Sequence, residues 1–299
     1  MTMQKTVSSS FNGKPAELIK GQSDAALITI LIEPASGWSA LNLREIWTYR
    51  DLLYFLTWRD IKTRYSQTAL GPLWIFIQPL FSMVLYTLVF GVVAKLPTGG
   101  IPYPIFSYAG LLPWGFFGDA VSGSLTSLLT NRDLIGKIYF PRLTLVLSRI
   151  LSSLLDLAIA MLVLFGMMFY SQLAPNWTLV FVPLYLMIAA LTGMGIGLCF
   201  SGIVVKYRDV GNLIGYFMRA LMFASPVVYS IELIPQEWRM VYELNPMTNV
   251  ILGFRYALLS AGPAPQWLTL GISTVLAVGL FLVGLFIFKR VERNIVDIA

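Results

Sequence analysis

Between Asp156 and Lys206 runs LAIAMLVLFGMMFYSQLAPNWTLVFVPLYLMIAALTGMGIGLCFSGIVV (residues 157–205), 49 residues without a charge. A single crossing of the hydrocarbon core takes about 20 apolar residues, so this stretch is long enough to cross twice. Pro175-Asn176-Trp177, near its middle, supplies the break of a helical hairpin. Two further uncharged runs, Gly71 to Ala94 and Tyr256 to Phe288, lie on either side. Charged residues make up only 12% of the chain and its mean hydropathy is +0.73, which leaves too little polar surface for a water-soluble globule. The fold class is therefore an all-α integral membrane protein.

The remaining composition mainly excludes functions. The net charge of +6 comes from basic residues gathered beside the spans, where topology explains them and no nucleic-acid partner is implied. The chain has no histidine, which removes Ser-His-Asp triads, HExxH zinc sites and histidine proton relays. Its single Cys199 lies in apolar sequence and reads as a small core residue. No Walker A, no GxGxxG and no paired-carboxylate constellation occurs, so no cofactor is expected in this chain. Residues 1–40 lack a secretory leader and read as a cytoplasmic segment, in which Ala25 to Ile32 is a short apolar run.

Residues 41–68 read as an amphipathic interface helix, in which Arg50, Asp51, Arg59, Asp60, Lys62 and Arg64 alternate with Leu52, Phe55, Leu56 and Trp58. Residues 69–290 hold six expected spans. These are Leu73 to Ala94, Tyr103 to Phe117, Leu145 to Phe169, Leu179 to Val205, Asn212 to Tyr229, and Leu268 to Phe288. The second is short and carries Pro104, Gly110 and Pro113; the fourth carries Gly193 and Gly197 on one face, a spacing that permits close helix packing. Leu244 to Phe254 is too short to cross and reads as a re-entrant or interfacial helix before the last span. Residues 291–299 form a tail. Arg132, Lys137, Arg142, Lys206, Arg208, Lys289, Arg290 and Arg293 fall on one side with the basic N-terminal region, against Lys95, Arg239 and Arg255 on the other. That bias puts both termini in the cytoplasm.

Charges at membrane depth are expensive and face protein or water. Arg149 either snorkels to the cytoplasmic interface or faces the interior, Asp156 either pairs with Arg149 or Arg219 or serves transport, and Arg219 sits near the inner edge of its span. The aromatic residues Trp74, Tyr86, Phe106, Tyr108 and Trp114 are candidates to line a glycan channel, although the same residue types also build interfacial belts. An ion-coupled carrier and a membrane-embedded glycan-processing enzyme stand as alternatives of a different class. Neither internal repeats nor a cluster of acids favours them.

The segment Arg59-Asp60-Ile61-Lys62-Thr63-Arg64-Tyr65 is followed by Leu70-Gly71-Pro72-Leu73-Trp74 and Gln78-Pro79. Further on come Gly110-Leu111-Leu112-Pro113-Trp114, Asn131-Arg132-Asp133-Leu134-Ile135, Tyr139-Phe140-Pro141-Arg142, Tyr207-Arg208-Asp209, Ser225-Pro226-Val227 and Asn245-Pro246-Met247. Together they resemble the ABC-2-type polysaccharide and O-antigen export permeases over roughly residues 40–290; with Ser36-Gly37-Trp38 the likeness is greatest to the O-antigen type, ahead of capsule and teichoic acid exporters.

The resemblance implies a half-transporter that pairs with a second copy of itself and with two copies of a nucleotide-binding subunit, which would hold ATP and Mg. The cargo it implies is undecaprenyl-diphosphate-linked polysaccharide, moved across the bacterial inner membrane. It also implies that the interface helix (Arg59, Asp60, Lys62) and the connector after span 2 (Asn131, Arg132, Asp133, Lys137, Arg142) receive the ATPase motion. A diphosphate calls for arginine at its entrance. Arg64 and Arg219 are the first candidates, Arg149 the next, with Asp156 orienting an arginine through an ion pair.

The charge asymmetry predicts a labelling pattern. In a chain freed of Cys199, cysteines placed at Ser171 and Pro263 should react with an impermeant thiol reagent from outside the cell. Cysteines at Asn131, Asn212 and Asn294 should react only from the cytoplasm. External labelling at Asn131 would overturn the arrangement.

Overall fold

The computed structural model describes residues 43–295 apart from Gln67, Ile138 and Asn176. The expected N-terminal segment 1–40, with its apolar run and Ser36-Gly37-Trp38, and the end of the tail lie outside the described residues. The described residues fall in one compact unit, and every regular element among them is helical.

A short helix α1 (Leu43–Thr48) leads into α2 (Arg50–Tyr65), the expected interface helix. Trp47, Tyr54 and Trp58 recur at helical spacing and stand exposed, while Leu56 and Asp60 on the other side are buried. Asp51 and Lys62 share the exposed face with these rings, and such a mixture of aromatic and charged groups suits a helix lying at headgroup depth. Gly71 adopts a positive φ of 51°, which turns the chain sharply into α3 (Trp74–Tyr86). This helix continues through a π-helical segment, Thr87–Val93, where Gly91 lets the ring of Tyr103 approach the backbone.

α4 (Tyr103–Thr130) runs for 28 residues, about 42 Å at helical rise, and is much longer than the expected second span. The expected span ends at Phe117, two residues before Asp119. The helix continues because that carboxylate opens toward a cavity, and because Pro113 is accommodated within it. After the short α5 (Arg132–Ile135) come α6 (Leu143–Tyr170) and α7 (Val182–Lys206), the hairpin expected from the 49-residue run.

α8 (Asp209–Phe223) ends six residues before the expected limit at Tyr229, since Pro226 cannot continue it. Its 15 residues cover about 22 Å, less than the roughly 30 Å hydrocarbon core. The expected run Leu244 to Phe254 is divided by Pro246 into α9 (Gln236–Leu244) and α10 (Pro246–Leu259). Asn245 caps α10 by accepting from the backbone N–H of Met247. α11 (Trp267–Ile295) closes the described chain. Among the described residues four stretches, Gly71–Val93, Leu143–Tyr170, Trp177–Lys206 and Trp267–Glu292, are long and apolar enough to cross a membrane. The protein is thus a multi-pass helical membrane protein.

α7 joins the helices. Lipid tails are as apolar as leucine, so helices associate in lipid by close packing more than by hydrophobic exclusion. On one face of α7 a Cβ added at Gly193 would fall 2.6 Å from Ala120 Cβ, and one at Gly197 would fall 2.5 Å from Ser124 Cβ, both on α4. On the other face Gly195 meets Leu280 of α11 at 2.8 Å by the same measure. The GxxxG pair read from the sequence is therefore a helix seam.

Replacing Gly197 with alanine forces α4 and α7 apart and should cost about 1–3 kcal/mol. A lower melting temperature in detergent is expected, whereas Gly166→Ala, with open space around it, should melt as the parent does.

Candidate functional site

A cavity of about 530 Å³ opens between the end of α2, α3, α4 and α6. Its ionisable lining is Arg64 and Tyr65 of α2, Asp119 of α4, and Arg149 and Asp156 of α6; Trp74, Tyr86 and Trp114 form aromatic walls. Asp156 is held from α2 by two donors. The Arg64 guanidinium pairs with Oδ2, and the Tyr65 phenol donates to Oδ1 at 2.9 Å. Burial, and then this hydrogen bond, pushes the Tyr65 pKa up to about 12, so its hydroxyl keeps its proton. Arg149 makes no side-chain hydrogen bond or ion pair with the described residues and faces the cavity. It occupies a gap that Gly123 leaves in α4, where a Cβ would sit 3.0 Å from that of Arg149.

The partner of Asp156 is Arg64, not Arg149 or Arg219 as expected. α2 lies against α6 and brings an arginine distant in sequence closer than either neighbour in the spans. Arg219 is absent from the cavity. It is exposed on α8 with its guanidinium 4.8 Å from the centre of the Tyr216 ring. Phe106 and Tyr108 do not line the cavity either. Both are buried in the helix core, where Tyr108 donates to the carbonyl of Ala160 at 3.2 Å and Phe106 lies under Arg255. Asp119 escaped the sequence reading as a site residue, yet it is the single charge within α4, and that isolation was the available signal.

At the end of the helices that carries Arg59 and Asn131, the candidates for coupling divide into inward and outward groups. Asp60 is only 7% exposed; it accepts from Arg59 at 2.9 Å and from the Ser148 hydroxyl at 3.1 Å. Arg59 also reaches the Asn131 side-chain carbonyl at 2.8 Å, so one guanidinium joins α2 to the end of α4. Leu56, Phe140 and Leu145 form a small apolar core beneath this clamp. Arg132 donates to the Val205 carbonyl at the end of α7 (3.2 Å), and Arg142 to the Glu292 carbonyl of α11 (2.8 Å). Lys62, Asp133 and Lys137 are exposed, as is much of Arg132. Asp60 thus serves as an internal clamp, with no surface to offer a partner.

Arg255, read as a flanking external charge, is instead 2% exposed inside α10. It donates to the carbonyls of Phe106 (3.2 Å), Pro226 (2.7 Å), Tyr229 (3.3 Å) and Val227, and stacks 3.7 Å from the Phe106 ring centre. Beside it Asn245 donates to Ser225 Oγ at 2.9 Å. These contacts fix the irregular segment between α8 and α9, whose carbonyls have no helical partner. Lysine in place of Arg255 keeps a charge but loses the planar fork that serves several carbonyls at once. Arg255→Lys should lower the melting temperature of the purified protein and increase proteolysis around 225–230. An unchanged melt would show that the segment holds itself.

Residues 51–259 match the family described as ABC-2 type transporter. The O-antigen export system permease protein RfbA of Myxococcus xanthus is 32% identical over 218 residues, 71% of this chain and 82% of that protein. The protein of the same name from Klebsiella pneumoniae is 26% identical over 250 residues, covering 83% and 95%. The polysialic acid transport protein KpsM of Escherichia coli is 23% identical over 246 residues, covering 79% and 90%.

Proposed function

Because the chain belongs to the ABC-2 type transporter family, as a membrane permease subunit related to O-antigen and polysaccharide exporters, we propose that it moves an undecaprenyl-diphosphate-linked polysaccharide of O-antigen type to the outer face of the bacterial inner membrane. Permeases of this family are not themselves catalytic, and ATP hydrolysis resides in a separate nucleotide-binding subunit. Two copies of this chain work with two such subunits, which hold ATP and Mg.

Six crossings are formed by α3, α4, α6, α7, α8 and α11, with α9 and α10 as the external re-entrant pair and both termini in the cytoplasm. The length of α4 and the Lys/Arg asymmetry support this count. Around it the domain limits follow the sequence: a cytoplasmic segment 1–40, an interface helix within 41–68, the transmembrane domain 69–290 and the tail 291–299. The exposed Lys62, Arg132, Asp133 and Lys137 meet the ATPase subunit. Arg59, Asn131 and Arg142 carry its displacement into α4 and α11 through the bonds they already make.

The observation that carries the cargo reading is the cavity, where the guanidinium groups of Arg64 and Arg149 stand beside three aromatic walls. Arginines supply charge-assisted hydrogen bonds to a diphosphate, and Trp and Tyr faces stack on sugar rings. Arg219, lying outside the cavity, is demoted from this role.

Removing one hydrogen bond to a charged group costs about 1.5–3 kcal/mol, or roughly 10- to 150-fold in affinity. In cells where Arg149→Gln replaces the parent at equal expression, export should fall by at least tenfold while assembly with the ATPase persists. Arg219→Gln should export normally. Cells lacking the chain should accumulate the lipid-linked glycan on the cytoplasmic side. Normal export by Arg149→Gln would place the headgroup elsewhere, and an accumulated capsular or teichoic acid glycan would transfer the cargo to those classes.

A further inference from the structure

The cavity is electrically balanced, with two arginines facing two carboxylates. A diphosphate gains little by simple attraction to such a surface. It can gain by exchange, taking an arginine from a carboxylate that already holds it. The Arg64–Asp156 pair is the only arginine–carboxylate bond in the cavity among the described residues. It is also one of three polar attachments of α2 to α6; the others are Tyr65 with the same Asp156, and Asp60 with Ser148 one turn earlier. Arg149, uncommitted, faces the same space.

We propose that the Arg64–Asp156 pair is a latch that the diphosphate headgroup itself opens. The headgroup lands on Arg149, draws Arg64 away from Asp156, and so leaves the last turn of α2 tied to α6 by the Tyr65 phenol alone, while Asp60 and Ser148 still hold its middle. The exchange replaces one charge-assisted hydrogen bond with another, so its net cost is small and its direction follows occupancy. Tyr65, still protonated, remains on Asp156 and keeps that carboxylate from standing bare. The loosened helix is the one whose Arg59 grips Asn131, at the start of the connector that the ATPase is proposed to move. Substrate occupancy is thereby reported to the cytoplasmic face over two turns of one helix. The inference rests on the diphosphate reading of the cavity.

The test uses the full transporter, with its ATPase subunits, in lipid nanodiscs and with Cys199 replaced. Spin labels at Thr63 on α2 and Leu155 on α6, both exposed, report their separation. Binding of undecaprenyl diphosphate is measured on the same samples by native mass spectrometry. The lipid should shift the separation to longer distances in the parent. Asp156→Asn should show the longer distance without lipid. If that variant fails to assemble, Arg64→Gln breaks the same pair from the other side and should show the same shift.

Lipid that binds without moving α2 would overturn the latch and leave the headgroup site standing. Lipid that binds equally to Arg149→Gln would overturn the headgroup site, and the latch with it. Inorganic diphosphate, as a separate arm, separates the two sources of the same chemistry. A shift with inorganic diphosphate as well as lipid assigns the trigger to the phosphates alone, and a shift with lipid only assigns it to the anchored headgroup. Both support the exchange.

Discussion

A charged side chain at membrane depth has no water to turn to, so the protein must supply its partners or leave it facing a wet cavity. Most of this structure follows from how that constraint is met at a few positions. Asp60 is enclosed by Arg59 and Ser148, and it fixes the interface helix on α6. Arg255 has no carboxylate partner and is satisfied by backbone carbonyls, which makes it a brace for a segment that could not otherwise stay folded in an apolar setting. Asp119 and Arg149 are not given ion-pair partners among the described residues; both open onto the same cavity. Outside the cavity the charges enclosed by partners are structural, and the cavity gathers the two left open together with the Arg64–Asp156 pair.

The glycine-lined α7 explains which parts of the protein are firm. Its contacts with α4 and α11 are close enough to be disturbed by single methyl groups, and α4 carries much of the buried core. α3 is built differently. It buries none of its residues in the chain, although its inner surface lines the cavity through Trp74 and Tyr86. A cavity with one firm wall and one lightly attached wall can change volume without breaking the α4–α7 seam. A membrane permease that passes a bulky polymer needs that division.

The sequence made some of these features legible and hid others for physical reasons. Long uncharged runs show directly, because membrane thickness sets their length; the α6–α7 hairpin appeared where the 49 residues placed it. The ends of α4 and α8 did not. A charge such as Asp119 ends a span only if it faces lipid, and which way it faces depends on neighbours distant in sequence. Phe106 and Trp114 are both aromatic residues of α4, yet one packs under Arg255 and the other lines the cavity. Residue type alone does not separate them. The short Ser225-Pro226-Val227 and Asn245-Pro246-Met247 segments were visible as motifs, but their joint purpose was not. They meet in space, where Asn245 holds Ser225 and Arg255 holds the carbonyls of Pro226 and Val227.

The balance of charge around the cavity bears on the task of an exporter. A site that conducts must bind well enough to admit its cargo and weakly enough to release it. Two arginines alone would hold a diphosphate firmly in a low-dielectric setting. Asp119 and Asp156 oppose that grip from the same walls. On the proposed headgroup reading, their presence lowers the affinity of the loaded state and gives Arg64 a carboxylate, Asp156, to return to when the headgroup departs. An acid in a site for an anion, which would count against recognition in a receptor, is what permits turnover in a permease. The placement of Asp156 within reach of Arg64, on a different helix, lets that return also restore the contact between α2 and α6.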